Sequence, residues 1–265
     1  MKKFFHYALG ITICALLMTG CGGEQGDNSN ALKKIVIGVD SEFAPMTFRD
    51  EQKNIVGFDV DMAKEVAKRL GVEFEFKAIN WDKKEAEINS GRVDIIWSGC
   101  DITPERQQYM LFSKPYMKNR QILLVQKGNP KNIHSEGDLA GKIVATQAGT
   151  VSLDYIADND ALRDSLAKFI TYRSLSEGFK ALSNGAFDAF IVDEIAARYE
   201  INKTPNTFEI IDVTVGAPTE FGISFRKDSL DLRDKVQKVF DEMIADGTAE
   251  KISRKWFNAD LVIRN

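Results

Sequence analysis

Short apolar runs alternate with longer amphipathic stretches along most of the chain. The runs at 34–39 and 93–97 are rich in β-branched residues and end at glycine or polar residues, so we predict buried strands. Between them, residues 59–70 carry apolar side chains at helical spacing, and Asp59 or Asp61 is the expected cap. Strands that alternate with helices in this way predict an α/β fold with a mostly parallel sheet.

The second half of the chain resembles the first half. Two of its segments echo two earlier ones, namely 142–144 with 34–36 and 184–193 with 90–99. The second echo aligns Asp193 with Gly99. In open α/β sheets, ligands bind beyond the carboxyl ends of the strands. Two such units that face each other would therefore enclose a ligand between those ends.

The remaining elements connect the two halves. Residues 121–126 form a predicted strand that leaves the first half, and residues 209–213 and 221–225 form two later strands. Residues 231–246 form an amphipathic helix, and Thr248 caps a last helix. We expect this last helix to pack on the first domain, which would make that domain discontinuous in sequence.

The stretch 93–116 carries the clearest chemical signal. Its strand ends in a turn of small and polar residues at 98–101, then Thr103 is a good N-cap and Pro104 suits the first helical position. Arg106 follows in the first turn, where the helix dipole disfavours a cation. A bound carboxylate would explain that cation. A capped surface helix whose arginine pairs with a nearby glutamate explains it equally well.

The N-terminus predicts export and a lipid anchor. Residues 1–20 combine Lys2 and Lys3 with an apolar run, which indicates a signal peptide. The small pair before Cys21 resembles a bacterial lipobox, which implies cleavage before Cys21 and a lipid on its sulfur. The polar, glycine-rich residues 21–32 then form a flexible tether. An ordinary secretion signal is the alternative.

Composition excludes several classes of protein. The 265 residues carry a net charge of −4 without any basic run, so we expect no nucleic-acid partner. Of the three cysteines, Cys14 lies in the signal and Cys21 would be lipidated, which leaves Cys100 as a small buried residue and no internal disulfide. The two histidines, His6 and His134, belong to no cluster that predicts a metal site, and no cofactor is expected.

Five motifs in order resemble one family. They are V-G-F-D-V-D-M-A-K-E-V-A at 56–67, S-G-x-x-D at 90–94, I-T-P-E-R at 102–106, Q-A-G-T-V-S at 147–152 and A-D-G-T-x-x-K-I-x-x-K-W-F at 245–257. Together they resemble the family 3 solute-binding proteins, the extracellular substrate-binding lipoproteins of polar amino-acid ABC transporters. The likeness spans about residues 33–257.

The resemblance implies an α/β, two-lobed periplasmic-binding-protein-like fold. Two mixed or parallel sheets flanked by helices would be joined by two hinge strands. Lobe 1 would comprise 33–118 plus 221–265, and lobe 2 would comprise 119–220. The hinges would fall near 117–121 and 218–221.

The resemblance also implies how the ends of an amino acid are held. Arg106 matches the arginine that forks the α-carboxylate, and Asp193 matches the acid that receives the α-ammonium. Thr150 and Val151 match a turn whose backbone amides cap the carboxylate. Asp101 stands where the family usually has serine or threonine. This acid would either strengthen the hold on the ammonium or pair with Arg106 and weaken carboxylate binding.

Other positions would surround the ligand. Phe43 and Trp81 match aromatic walls, Ser98 and Gly99 lie in the ligand loop of the first lobe, and Asp40 matches an acid that reads the ligand's side chain. Taken alone, the aromatic residues are more typical of a core, Asp40 of a turn and Asp193 of a helix cap. A buried zwitterion nevertheless needs one cationic fork and one anion, because an unpaired buried charge is expensive to desolvate.

We therefore expect a monomeric binding protein and not an enzyme. It would bind a polar or basic L-amino acid between two lobes outside the cytoplasmic membrane, where the lipid anchor holds it, and deliver that ligand to an ABC importer permease. Acidic ligands are excluded by the predicted carboxylates. Two alternatives stay open: an enzyme on the same fold, such as a dehydratase or peptidoglycan lyase, and a surface adhesin or antigen.

Overall fold

The computed structural model describes residues 34–264. The predicted signal peptide, the lipidation site at Cys21 and the tether up to residue 32 lie outside the described residues. Within 34–264, no helix combines the length and the apolar character that crossing a membrane requires.

Strands and helices alternate as the sequence predicts. Within the described residues the strands are β1 (Lys34–Val39), β2 (Glu42–Phe43), β3 (Thr47–Arg49), β4 (Ile55–Val56), β5 (Glu73–Ala78), β6 (Ile95–Asp101), β7 (Met110–Phe112), β8 (Met117–Gln126), β9 (Ile143–Gln147), β10 (Lys168–Tyr172), β11 (Ala189–Asp193) and β12 (Phe208–Arg226). The helices are α1 (Phe58–Leu70), α2 (Lys84–Asn89), α3 (Arg106–Tyr109), α4 (Val151–Asp158), α5 (Asp160–Ser165), α6 (Leu175–Ser183), α7 (Glu194–Lys203), α8 (Leu230–Ala245) and α9 (Thr248–Phe257). Short 3₁₀ turns lie at Trp81–Lys83 and Glu136–Leu139.

The prediction of two separate large sheets is wrong. One nine-stranded sheet has the order β10-β9-β11-β8-β12-β6-β1-β5, with β7 paired to β12, and a small sheet contains β2, β3 and β4. The outer strands of each half run parallel, whereas β8 and β12 are antiparallel to their neighbours. The sheet is continuous because β12 pairs with β8 over most of its length and with β6 at its end.

The two strands predicted at 209–213 and 221–225 are one strand, β12. The residues between them break its regularity without ending it, since the pairing with β8 shifts between Ile211 and Thr214 and again between Val215 and Thr219. Gly216 adopts a φ of 70° within the second shift, two residues before Pro218, which cannot donate to the ladder. These turn-like residues form irregularities in a long strand.

The echo between the two halves has a structural counterpart. Asp94 accepts a hydrogen bond from the amide of Val36 (3.0 Å), and Asp188 accepts one from the amide of Ile143 (2.9 Å). Five residues after these acids come Gly99 and Asp193, which therefore occupy matching places. The echo of 142–144 with 34–36 is displaced by one residue, because Ile143 takes the place of Val36.

Helix α1 begins differently from the prediction. Its N-cap is Gly57, and no side chain caps its first turn, so neither Asp59 nor Asp61 is the cap. Asp59 is fully buried beneath the strand β6 instead. Asp61 is partly exposed and accepts hydrogen bonds from the side chains of Lys255 and Trp256.

The C-terminal helix packs on the first half, as predicted. Trp256 meets Phe48 edge to face at 5.9 Å between ring centroids, and Phe257 lies 5.0 Å from Phe58. Beyond the helix, Val262 forms a bridge with Met117 at the start of β8. The tail is therefore tied to the strand that leaves the first half.

Candidate functional site

The predicted site residues gather at the carboxyl ends of the central strands. Asp40 follows β1, residues 98–101 end β6, and Asp193 ends β11. Thr150 is the N-cap of α4, and Val151 is its first residue. The predicted polar and charged side chains are nearly inaccessible: Asp40, Ser98, Asp101, Arg106, Thr150 and Asp193 are all buried.

Ser98 and Gly99, predicted to lie in a turn, belong to the strand β6 and are held by two hydrogen bonds. The amide of Asp40 donates to the hydroxyl of Ser98 (3.0 Å), and the amide of Gly99 donates to the carboxylate of Asp59 (2.8 Å). Gly99 has a φ of 54°, and a Cβ there would lie 2.3 Å from a ring carbon of Phe43. Only glycine fits this close approach in the left-handed region.

Arg106 begins a helix of only four residues, two positions later than predicted. Its amide donates to the hydroxyl of Thr103 (3.1 Å), so this amide is not free to bind an anion. Its guanidinium donates to the backbone carbonyls of Asp101 (3.2 Å) and Gly149 (3.1 Å). The carboxylate of Asp101 lies 3.5 Å away. Arg106 therefore spans both halves of the molecule.

Asp101 and Asp193 are bridged by a side chain that the sequence did not single out. The amide nitrogen of Asn119, in β8, donates to Oδ1 of Asp101 (2.9 Å) and to Oδ1 of Asp193 (2.5 Å). Thr219 donates a further bond to Asp101, and Gln121 donates one to Asp193 (2.7 Å). Both donors to Asp193 bind Oδ1. Although Asp193 stands at the N-cap position of α7, its side chain caps no amide.

The environment disfavours the charged form of Asp193. Burial, and then the neighbouring charge of Asp101, raise its pKa to about 7, against the hydrogen bonds from Asn119 and Gln121. An ammonium group placed against this carboxylate would favour the ionised form.

Asp40 links the two halves at the other side of the site. Its Oδ1 accepts the amide of Glu42 (2.9 Å), which is the predicted turn, and its Oδ2 accepts the side-chain amide of Gln147 at the end of β9 (2.7 Å). Burial raises the pKa of Asp40. The turn interpretation is therefore confirmed by the contact with Glu42, while the role of Asp40 toward a ligand stays a prediction.

The two aromatic residues are buried beside these acids. Phe43 packs edge to face on Phe221 with centroids 6.2 Å apart. Trp81 begins the 3₁₀ turn, and the ammonium of Lys84 lies 5.2 Å from its ring centroid.

Sequence reasoning missed several residues of this region. They are Lys84, Asn119, Gln121, Gln147, Gly149 and Thr219. A signal for Lys84 existed, because it is the first residue of α2, where the helix dipole disfavours a cation. The same argument drew attention to Arg106. Asn119 and Thr219 carry no such signal, since their roles depend on the pairing of β8 with β12.

The model of the "Bacterial extracellular solute-binding proteins, family 3" matches residues 35–259. The L-cystine-binding protein TcyJ of Escherichia coli strain K12 is 32% identical over 86% of this chain and 84% of its own length. The arginine-binding extracellular protein ArtP of Bacillus subtilis strain 168 is 30% identical over 98% of this chain and 100% of its own.

A solved structure supports the same relationship. An ABC uptake transporter substrate-binding protein from Streptococcus pneumoniae, crystallised with histidine, superposes with a TM-score of 0.82 at 32% identity. The match covers 87% of this chain and 95% of that one. The fold is thus the α/β fold of periplasmic binding proteins.

These matches confirm the family predicted from the motifs. The family consists of extracellular binding proteins that serve uptake transport, so the expectation that the chain is not an enzyme is also confirmed. The chain belongs to the bacterial extracellular solute-binding proteins of family 3.

Proposed function

We propose that the chain captures a polar or basic L-amino acid between its two halves and delivers it to the permease of an ABC importer. One observation carries the proposal. Arg106 from the first half and Asp193 from the second are joined through Asp101 and Asn119 into one buried array of opposite charges. Such an array complements a zwitterion, whose carboxylate and ammonium each need a buried partner.

Each end of the ligand then has its partners. Arg106 holds the α-carboxylate, helped by the amides of Thr150 and Val151 at the start of α4. Asp193 and Asp101 hold the α-ammonium from opposite halves. Asn119 donates to both acids in the structure, so an ammonium would take over positions that the amide now fills.

The rest of the ligand lies among the remaining site residues. Phe43 and Trp81 form the walls, Asp40 contacts the ligand's side chain, and Ser98 and Gly99 near the end of β6 meet the ligand through their backbone. The acids favour a basic or polar uncharged side chain, in which a cation gains from the nearby aromatic rings. Relatives named for cystine and arginine, and a solved structure with bound histidine, fit this range.

The two halves act as lobes that close on the ligand. Lobe 1 comprises 33–118 plus 221–265 and lobe 2 comprises 119–220, with hinges near 117–121 and 218–221. Support comes from β8 and β12, the strands that continue the sheet from one half to the other, and from the irregular pairing of β12 near Pro218. Strands with broken register bend more easily than regular ones.

A melting screen of the purified protein with single amino acids tests the function. We expect a higher melting temperature with basic or polar ligands, since a ligand that binds only the folded state stabilises it. Calorimetry should then give glutamate and aspartate affinities at least about tenfold weaker than that of the best ligand. A preference for an acidic amino acid contradicts the proposed selectivity, and the absence of any shift contradicts the function.

The chain is held at the outer face of the cytoplasmic membrane or in the periplasm through a lipid on Cys21. The resemblance of the residues before Cys21 to a lipobox supports this, and the permease it would serve is a membrane protein. Replacement by Cys21→Ser should release the chain from the membrane fraction. Retention of that variant in the membrane fraction argues against the anchor.

A further inference from the structure

Lys84 is a buried cation for which the proposed ligand contacts have no use. It begins α2 with only 2% of its surface exposed, and its ammonium lies over the ring of Trp81. The ammonium donates to the backbone carbonyl of Gly149 (2.7 Å) and pairs with Glu85 (3.0 Å). Gly149 belongs to the second half, so this hydrogen bond crosses between the halves.

Gly149 is shaped for the contact. Its φ is 75°, and a Cβ there would lie 2.7 Å from the Cα of Asp82 in the opposing turn. Glycine thus lets two backbones meet closely. The carbonyl of Gly149 also accepts a bond from Arg106 (3.1 Å), so two cations of the first half share one acceptor of the second.

The two buried cations, Lys84 and Arg106, repel each other when no ligand lies between the halves. Burial and the neighbouring charge of Arg106 both lower the pKa of Lys84. A pocket of about 220 Å³ beside the junction is lined by Lys84, Arg106, Gly149 and Asp154 among others. When the halves separate, both cations lose the shared carbonyl and regain water. A carboxylate bound at Arg106 would offset the repulsion between them, so the ligand and this junction stabilise the same closed state.

We propose that Lys84 is a positioning residue that latches the closed cleft by holding the carbonyl of Gly149, without touching the ligand. The inference rests on the proposed function, because it concerns the state in which the ligand is enclosed. Since the latch forms only after the halves meet, it should slow ligand release and leave ligand entry unchanged.

The variant Lys84→Met keeps an apolar stem against Trp81 and removes the donor. Stopped-flow measurements with the best ligand of the screen should show dissociation roughly tenfold faster, the size expected for one charge-assisted hydrogen bond, with association within about twofold of wild type. Lys83→Met is the matched control, since Lys83 is exposed and forms its salt bridge with neighbouring Asp82. Unchanged dissociation overturns the latch, and so does a slower association, which would indicate direct ligand contact or steering.

A second variant and a scattering experiment test the latch independently. Gly149→Ala blocks the approach to Asp82 while leaving Lys84 intact, so it should also speed dissociation. It replaces Lys84→Met as the test if that variant fails to fold. Small-angle scattering over a ligand titration tests the latch at equilibrium: Lys84→Met should need more ligand than wild type and Lys83→Met to reach the smaller radius of gyration of the closed state. Equal ligand requirements overturn the latch and leave the proposed function standing, whereas absent binding by wild type contradicts the proposed function.

Discussion

A buried carboxylate is tolerated where donors or cations surround it, and Asp101 has both. It accepts bonds from Asn119 and Thr219 and lies 3.5 Å from Arg106. The two roles considered for an acid at this position, pairing with the arginine and adding to the ammonium site, are compatible in this geometry. Asp101 therefore joins the two charged ends of the proposed site.

Arg106→Ala should weaken ligand binding by about 2–5 kcal/mol, because it removes one member of a buried charge pair. Calorimetry measures the loss, and melting of the unliganded variant checks that it folds. Arg92→Ala serves as the control, since Arg92 is exposed and pairs with Glu87. An affinity equal to that of wild type would contradict the role of Arg106 in binding the ligand's carboxylate.

Ligand affinity should fall as the pH falls below about 7. Burial and the charge of Asp101 raise the pKa of Asp193 to about 7, so the carboxylate is ionised at higher pH and holds the ammonium, whereas protonation at lower pH competes with it. The decline approaches tenfold per pH unit well below that value. Arginine or glutamine is a suitable probe between pH 8 and pH 5, because neither changes charge over this range.

The variant Asp101→Asn separates Asp193 from other titrating groups. Removing the charge of Asp101, the second cause of the raised pKa of Asp193, should move the midpoint of the affinity profile to lower pH. A flat profile in wild type, or an unmoved midpoint in Asp101→Asn, contradicts the role assigned to Asp193.

Asp59 predicts a separate pH dependence, that of stability. Burial raises its pKa to about 7, although Gly99 and Tyr116 donate to its Oδ2, and its Oδ1 has no partner among the described residues. Between pH 4 and 7 the folded chain therefore binds a proton that the unfolded chain has released, so stability falls as the pH rises through this range. Urea unfolding at several pH values should show that the free energy of unfolding falls less steeply with rising pH in Asp59→Asn than in wild type. The same dependence on pH in both proteins contradicts this assignment.

At the scale of elements, matching positions of the two halves meet across the site. The register of β1 on β6 and of β9 on β11 pairs Ile37 with Ile95 and Val144 with Ala189, which makes Asp40 and Gln147 equivalent. These two side chains are hydrogen bonded at 2.7 Å. The repeat visible in the sequence thus brings the ends of corresponding strands face to face.

Sequence patterns predicted the strands and helices better than the connections between them. The runs that became β1, β6 and β11 are bounded by clear signals, and the S-G-x-x-D pattern reports a real acid-to-amide contact at Asp94. By contrast, glycine and proline near 216–218 read as a break between strands. Whether such residues end a strand or bend it depends on the partner β8, which lies some ninety residues earlier in the chain.

Gly99→Ala tests the carboxyl end of β6. The added Cβ would lie 2.3 Å from the ring of Phe43, so the strand or the ring must move, and ligand affinity should fall about tenfold or more. Gly128→Ala has a similar positive φ but open space, which makes it the matched control for backbone strain alone. Calorimetry compares the two variants: equal affinities of Gly99→Ala and Gly128→Ala contradict a ligand role for this end of β6.

At the scale of the molecule, the sequence indicated two similar halves but could not give the sheet that joins them. The sequence predicted the alternation of strands and helices in each half because strand and helix signals are local. The continuous sheet depends on long-range pairing of β8 with β12, and the cross-cleft contacts of Asp40, Lys84 and Arg106 depend on how closely the halves meet. A single sequence contains no direct record of those distances.

Ligand binding should close the molecule, and this is the prediction for the whole chain. The halves touch through hydrogen bonds from Gln147 to Asp40, from Lys84 to Gly149 and from Arg106 to Gly149, all of which require a closed cleft. A ligand that contacts both halves favours this state over an open one. Small-angle scattering should therefore give a smaller radius of gyration with saturating ligand than without it, and Arg106→Ala should need more ligand for the same change. If calorimetry shows saturation while the radius stays constant, closure by the two strands β8 and β12 is not how this protein holds its ligand.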